Sequence, residues 1–326
     1  MSVPANTYQT YPQTNIREDL SNLIFNVDPY KTPLLNMSKK NKATQGNHEW
    51  DTDQLAAQNL NNAQVEGDDP AAQSLTPTAR MGNYVQTSNK VVQLSGKSQA
   101  VIAAGGSNKM GYQLMKKSKE LKRDMEGILT YNSAKNAGSS AVASTMGGLP
   151  CWLMTNTVFQ TGGSPSGANP TAAANGWTDG SQTRTYNSVT TTVTEAQVIT
   201  VLQEIFTSSG ESPEYALVSP KNKTNISKFA GPGTRFIEVE DKVLKTAVDV
   251  YESDFGDVKI VPDIFLAHSG DIFFINPNYI RVAYLRPFQT VPLAKTGDSD
   301  KKMLLVDYTL EVGNEHAHGA IYDTNG

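Results

Sequence analysis

A single cysteine, Cys151, stands among 326 residues, which excludes an internal disulfide and a zinc site built from several thiolates. Charge is scarce too: 18% of the residues are Asp, Glu, Lys or Arg, against about 25% in an average soluble protein. The polar remainder falls to Asn, Gln, Ser, Thr and Gly. A net charge of −4 provides no basic field for gripping a nucleic-acid backbone. No stretch approaches the roughly 20 apolar residues that cross a bilayer, and the start "MSVPANTYQTYPQTNIRED" has no basic region followed by an apolar run. The expectation is a chain that works in a reducing interior, away from membranes. The Asn-x-Ser/Thr triplets at Asn36, Asn222 and Asn225 are then read as chance.

Catalytic signatures are equally sparse. "GSPSG" at Gly163 to Gly167 has proline where a nucleophile elbow needs its serine, and "GPGTRF" lacks phosphate-loop spacing. Asp68-Asp69 and Glu240-Asp241 sit in polar runs, where solvated surface is the preferred reading over a catalytic pair. In "KKSKELKR" lysines alternate with acids and apolar residues, which favours a solvated helix face over a nucleic-acid grip. Of the four histidines, His316 and His318 in "NEHAHG" would share a face of an extended segment beside Glu315. A metal-dependent hydrolase can be imagined there, but no third ligand of fitting spacing accompanies them. The balance favours a structural, noncatalytic protein without cofactor or metal.

The elements themselves are well marked. Ile16, Leu20, Leu23 and Ile24 recur at helical spacing behind a possible Asn15 cap, and "VDPYKTPLL" breaks that helix into a proline-kinked strap. In "HEWDTDQLAAQNLNNAQVEGDD", His48, Trp50 and Thr52 fall on one strand face, and "RMGNYVQTSNKVVQL" reads as the extended return. Between them, Leu55 to Thr78 offers too little apolar area to offset an ordering cost of about 1–2 kcal/mol per residue. "SNKMGYQLMKKSKELKRDMEGILTYNSAK" predicts a helix over about 108–135, with Ser107 or Asn108 as cap and an apolar stripe of Met110, Leu114, Leu121, Met125 and Ile128. At ~1.5 Å per residue it would reach on the order of 40 Å.

Further on, residues 162–187 read as a Gly/Ser/Thr-rich surface insertion. "TEAQVITVLQEIFTSSG" carries a capping box at Thr194 and Gln197, core positions Val198, Leu202 and Ile205, and a stop at Gly210. A buried strand, a Ser219-Pro220 start and a second helix follow. Strand candidates come next at "VDVYES", "KIVP", "DIFFINP" and "IRVAYLR". In "KKMLLVDYTLEVG", Leu304, Val306, Tyr308, Leu310 and Val312 share one face while Asp307, Thr309 and Glu311 share the other, which predicts a half-buried strand.

Taken in order, "REDLSNLIFNVDPYKTPLLNMSKK", "HEWDTDQLA" with "RMGNYVQTSNKVVQLSG", "YQLMKKSKELKRDMEGIL" and "GGLPCWL" resemble the arm, extended loop, spine helix and axial-domain entry of tailed-phage major capsid proteins of the HK97-like fold. The resemblance runs from about Arg17 to Asp323. It implies an α+β chain with an N-terminal arm at 1–44, an extended β-hairpin loop at 45–93, a peripheral domain at 94–148 and 280–326 and an α/β axial domain at 149–279. It also implies an icosahedral virion shell of hexamers and pentamers, assembled in the host cytoplasm through a procapsid. Such a shell encloses double-stranded DNA without reading its sequence and works with scaffolding, portal and cement proteins.

Under this reading the polar arm is a strap between copies, with Trp50 burying its ring on a neighbour. The expected subunit-contact residues are His48, Trp50, Arg80, Pro29 and Pro33. Some family members weld their shells through a lysine in this loop, but none occurs here between Lys42 and Lys90, so no isopeptide cross-link through the loop is expected. A phage tail or adhesin module, displaying the 162–187 segment in a small oligomer, is the alternative from another class.

Overall fold

The computed structural model describes residues 31–67, 69, 72, 75–101, 109–162, 164, 166–173, 176–229, 249–266, 268 and 270–325. Pro29, the helix expected near residues 15–27, the candidate caps Ser107 and Asn108, and "GPGTRF" lie outside these residues.

The chain enters through a one-turn helix, α1 (Pro33–Met37), with proline at its first position, where a missing N–H costs nothing. It continues as β1 (Lys39–Lys42), the edge of a four-stranded sheet. The β2 (Asn47–Thr52) and β3 (Ala79–Tyr84) strands form a separate antiparallel hairpin, registered from Asn47 opposite Tyr84 to Thr52 opposite Ala79. The single return strand expected after the arm is in fact two. Val85, buried with Ala43 and Ala283, interrupts it, and β4 (Gln86–Ser95) leaves the hairpin to join the four-stranded sheet. Val85 N–H still donates to the Gly46 carbonyl at 2.9 Å, the last bond on the hairpin side before the pairing partner changes. A short helix, α2 (Gly96–Ala100), follows.

The spine helix, α3 (Lys109–Thr130), is about 33 Å long at ~1.5 Å per residue. Its buried positions are Leu121, Met125, Glu126, Leu129 and Thr130. Met110 and Leu114 in the first half, and Ile128, are only partly covered. The helix stops about five residues short of the expected 135. Asn132 exchanges hydrogen bonds of 2.8 and 2.9 Å with the backbone of Arg184, and Ser133 N–H donates to the Tyr131 carbonyl, so side chains and turns outcompete further helix. Gly148 approaches this end so closely that a Cβ would lie 1.9 Å from the Tyr131 carbonyl oxygen.

Past a 3₁₀ turn (Leu149–Cys151), a six-stranded sheet forms the second layer. Its order is β5 (Thr157–Phe159), β12 (Gly319–Tyr322), β9 (Ile272–Ile275), β6 (Tyr215–Val218), β8 (Gly256–Pro262), β7 (Val250–Ser253). The helices α4 (Glu195–Ser209) and α5 (Pro220–Ile226) belong to this unit. The Thr194–Gln197 capping box, the left-handed Gly210 cap and the Ser219 cap are all present as expected. Val198, Val201, Leu202 and Ile205 pack with Ile272, Phe274 and Ile321. Alternate residues of the same strands, Phe273, Ile275 and Tyr322, face a larger core shared with Trp152 and α3. The last strand, β12, pairs inside this sheet, parallel to β5 and antiparallel to β9.

The four-stranded sheet is closed by a long hairpin of β10 (Ile280–Leu293) and β11 (Ser299–Val312), with order β1-β10-β11-β4. The expectation of a half-buried β11 needs correction. Leu304, Val306, Tyr308, Leu310 and Val312 face the core, yet Asp307, Thr309 and Glu311 are buried as well. Partners from β1, β2 and β10 hold the Glu311 carboxylate on that second face, and Arg286 of β10 pairs with one oxygen of Asp307.

The Gly/Ser/Thr-rich segment is not a free surface insertion either. Arg184 is buried, its guanidinium lies 3.6 Å from the centre of the Tyr322 ring, and it donates to the carbonyls of Pro150 (2.9 Å) and Leu153 and to Asn169. Asn169, Thr178, Tyr186 and Asn187 tie the segment to the body as well, which loop composition does not disclose.

Candidate functional site: the root of an extended arm

The hairpin β2–β3 carries a long arm away from the body, and its root is fixed by the chain itself. Trp50 packs on Trp152 of the same chain, with ring centroids 5.3 Å apart. Its ring is only partly covered there. His48 is 3.0 Å from Glu311, and the Glu311 carboxylate also accepts from Asn41 (2.7 Å) and Arg281 (2.6 Å). Burial opposes charge on Glu311, but these three donors outweigh it and hold its carboxyl below the ordinary range.

On the second strand, Asn83 is fully buried. Its Nδ2 donates to the carbonyls of Gly147 and Leu310 at 3.1 and 2.9 Å, while its Oδ1 accepts from Gly147 N–H at 2.8 Å. Lys135 reaches the Gly82 carbonyl at 2.8 Å and Ser144 the Val85 carbonyl at 2.6 Å. The cavity beside Trp152, Trp177 and Thr52 is about 10 Å³, room for no more than about one water. The root is therefore packed, not hollow.

The five residues expected to make contacts fall into separate places. His48 and Trp50 touch the chain's own body and remain partly exposed. Arg80 is outside that cluster, with its side chain 70% exposed and paired to Asp51 at 3.6 Å. Pro33 starts α1, whose Leu34 and Leu35 are buried in the main core. Pro29 lies outside the described residues. Glu311, Asn83 and Asp307, which hold the root and its neighbouring strands, were missed. Their only sequence signal is a carboxylate alternating with large apolar residues in β11 and an amide flanked by strand formers in β3.

Beyond the root, the arm is open on all sides in a single copy. Leu55, Leu60, Val65 and Leu75 are 94%, 86%, 76% and 92% exposed. From Ala43 to Ala79 there are six acidic residues and no lysine or arginine.

The paired histidines near the C-terminus are engaged separately. His316 meets the Trp177 ring edge-on at 4.9 Å. His318 is buried and accepts from Asn276 N–H at 3.2 Å, and burial holds its pKa down at about 4. Among the described residues no group of three His, Cys, Asp or Glu side chains could hold a metal ion.

A long spine helix across one sheet, a second α/β sheet unit and a projecting hairpin are the features of a shell subunit with the HK97-like capsid fold. Solved structures with the same fold include a cyanophage A-1(L) capsid protein, with a TM-score of 0.61 at 11% identity over 95% of this chain and 98% of that one. Another comes from Mycobacterium phage Adephagia, with a TM-score of 0.57 at 9% identity over 98% of both chains. The chain belongs to the SU10 major capsid protein family, which matches residues 4–325. It is 25% identical to the major capsid protein of Escherichia phage Phieco32, covering 98% of this chain and 97% of that protein. The resemblance read from the sequence holds, and the tail or adhesin alternative falls.

Proposed function

We propose that the chain is a noncatalytic subunit that assembles with its own copies into hexamers and pentamers of an icosahedral phage head around double-stranded DNA, the arm of each copy lying over a neighbour. The observation that carries this reading is the arm itself: four large aliphatic side chains 76–94% exposed, on a limb whose root is bolted to the body. An anchored root and an uncovered tip make a strap that needs no ordering of its base on assembly. Each strap contact is modest, but every copy gives and receives one, and a closed shell multiplies them.

The four-stranded sheet with α3 forms the peripheral unit, and the six-stranded sheet with α4, α5 and the returning β12 forms the axial one. Contacts by Arg80 and the strap around Pro29 and Pro33 accompany the arm. With no lysine from Ala43 to Asn89, overlap of the arms is noncovalent. Scaffolding, portal and cement proteins are separate chains, and assembly takes place in the host cytoplasm.

Removing residues 55–78 tests the reading. The expected result is a soluble, folded body that forms no regular shells by negative-stain microscopy, with or without a scaffolding partner. Regular shells from the shortened chain would overturn it.

A further inference from the structure

Glu126 is a carboxyl group with no exposed surface, on the core side of α3. Its two oxygens accept the N–H groups of Leu34 at 2.6 Å and Leu35 at 2.9 Å, so it caps the strap helix α1 from the spine. Beside it sits Asp263, 1% exposed, immediately after β8. One oxygen of Asp263 accepts from Phe265 N–H at 2.8 Å; the other, Oδ2, has no N–H donor. Each carboxyl acts on the other's titration as a hydrogen-bond partner, and the chain just past Asp263 packs on α3, with the Phe265 carbonyl oxygen 3.7 Å from where a Cβ on Gly127 would lie. Two ionised carboxylates in that position would leave Oδ2 facing a like charge in a medium of low dielectric. A proton between them removes the repulsion and supplies the missing donor.

We propose that Glu126 and Asp263 share one proton, which latches the strap helix to the spine helix and to the six-stranded sheet, and that loss of this proton frees the strap. The pair joins three parts of the fold that are far apart in sequence: α1, α3 and the end of β8. When the proton passes to bulk water the second negative charge has no compensating cation among the described residues. Arg123, one turn back on α3, lies 5.0 Å from the Phe265 ring centre, Asp124 is paired with Lys90 at 2.5 Å, and Lys39 bonds to Asn278 at 2.7 Å. Helix α1 carries no titratable side chain, and Lys31 before it is exposed. Burial and Asp263 both push Glu126 up, to about 8, against the opposing pull of the two α1 N–H groups. The switch therefore opens on the alkaline side. It is a property of a single copy and goes beyond the shell reading.

Hydrogen exchange of the full-length chain, corrected for intrinsic rates, tests this between pH 6.5 and 9.5 in the segment 31–38. Protection there is expected to fall at least tenfold as pH rises, while that of β6 and β9 stays constant. Asp263→Asn places a permanent donor beside Glu126 and is expected to keep the segment protected at every pH. Glu126→Gln is expected to give low protection at all pH values, because one of its two acceptors becomes a donor. A wild-type chain whose 31–38 protection does not change with pH, or an Asp263→Asn chain that keeps the wild-type step, overturns the proposal.

Discussion

At the scale of single residues, buried polar side chains do the specifying. Arg184 satisfies three acceptors and lies flat on Tyr322. A lysine in its place keeps the charge but loses the planar fork. Arg184→Lys is expected to lower stability by about 2–4 kcal/mol, read as a lower urea midpoint of the unassembled chain. Glu311 has the same status in the arm's root. Glu311→Ala strands Arg281 and releases His48 and Asn41, so hydrogen exchange in β2 is expected to rise while exchange in β9 does not. Neither residue was legible as a site. An arginine in a Gly/Ser/Thr-rich stretch and a glutamate on the polar face of a strand both look solvated until their partners, distant in sequence, are known.

At the scale of elements, local patterns served where local chemistry decides. The Thr194–Gln197 box, the Gly210 cap and the Ser219 start are set by interactions within one turn, and all three formed where the residues placed them. The end of α3 was misplaced because nothing in "TYNSAK" forbids helix. What ends it is the side-chain bridge from Asn132 to Arg184 and the close pass of Gly148. Gly148→Ala would set a methyl 1.9 Å from the Tyr131 carbonyl oxygen. Forcing that junction apart is expected to cost about 1–3 kcal/mol or more, seen as a lower thermal midpoint with little change in helical circular dichroism.

At the scale of the whole molecule, two buried groups set opposing pH slopes. Glu126, raised to about 8, contributes stability that is complete below its ordinary 4.5 and is lost as pH rises through 8. His318, depressed to about 4 by burial, costs stability as pH falls from its ordinary 6.5 toward 4. Between about pH 4.5 and 6.5 the two slopes cancel. Above 6.5 the loss from Glu126 continues, about 1.4 kcal/mol per pH unit at most, and His268, raised by its hydrogen bond to Asp271, adds a loss of the same sign. Urea unfolding of the unassembled chain is thus expected to show a plateau and then a decline from pH 6.5 to 8. In Asp263→Asn the decline should be flattened, since Glu126 then keeps a neutral neighbour that donates to it.

The sequence by itself determined the spine helix, the Thr194–Gln197 and Ser219 helix starts and most strands of the second half, because hydrophobic period, caps and prolines act over a few residues and survive without any partner. It also determined that the arm from Leu55 to Thr78 lacks the apolar area to fold alone. Only the tertiary structure decided where the arm's independence begins: Trp50 and His48 belong to the body because Trp152 and Glu311, more than a hundred residues away, come to meet them. It likewise decided that β12 returns to the six-stranded sheet and that Glu126 meets Asp263. Such pairings depend on which segments pack together, and a carboxylate or an indole carries no local mark of its distant partner.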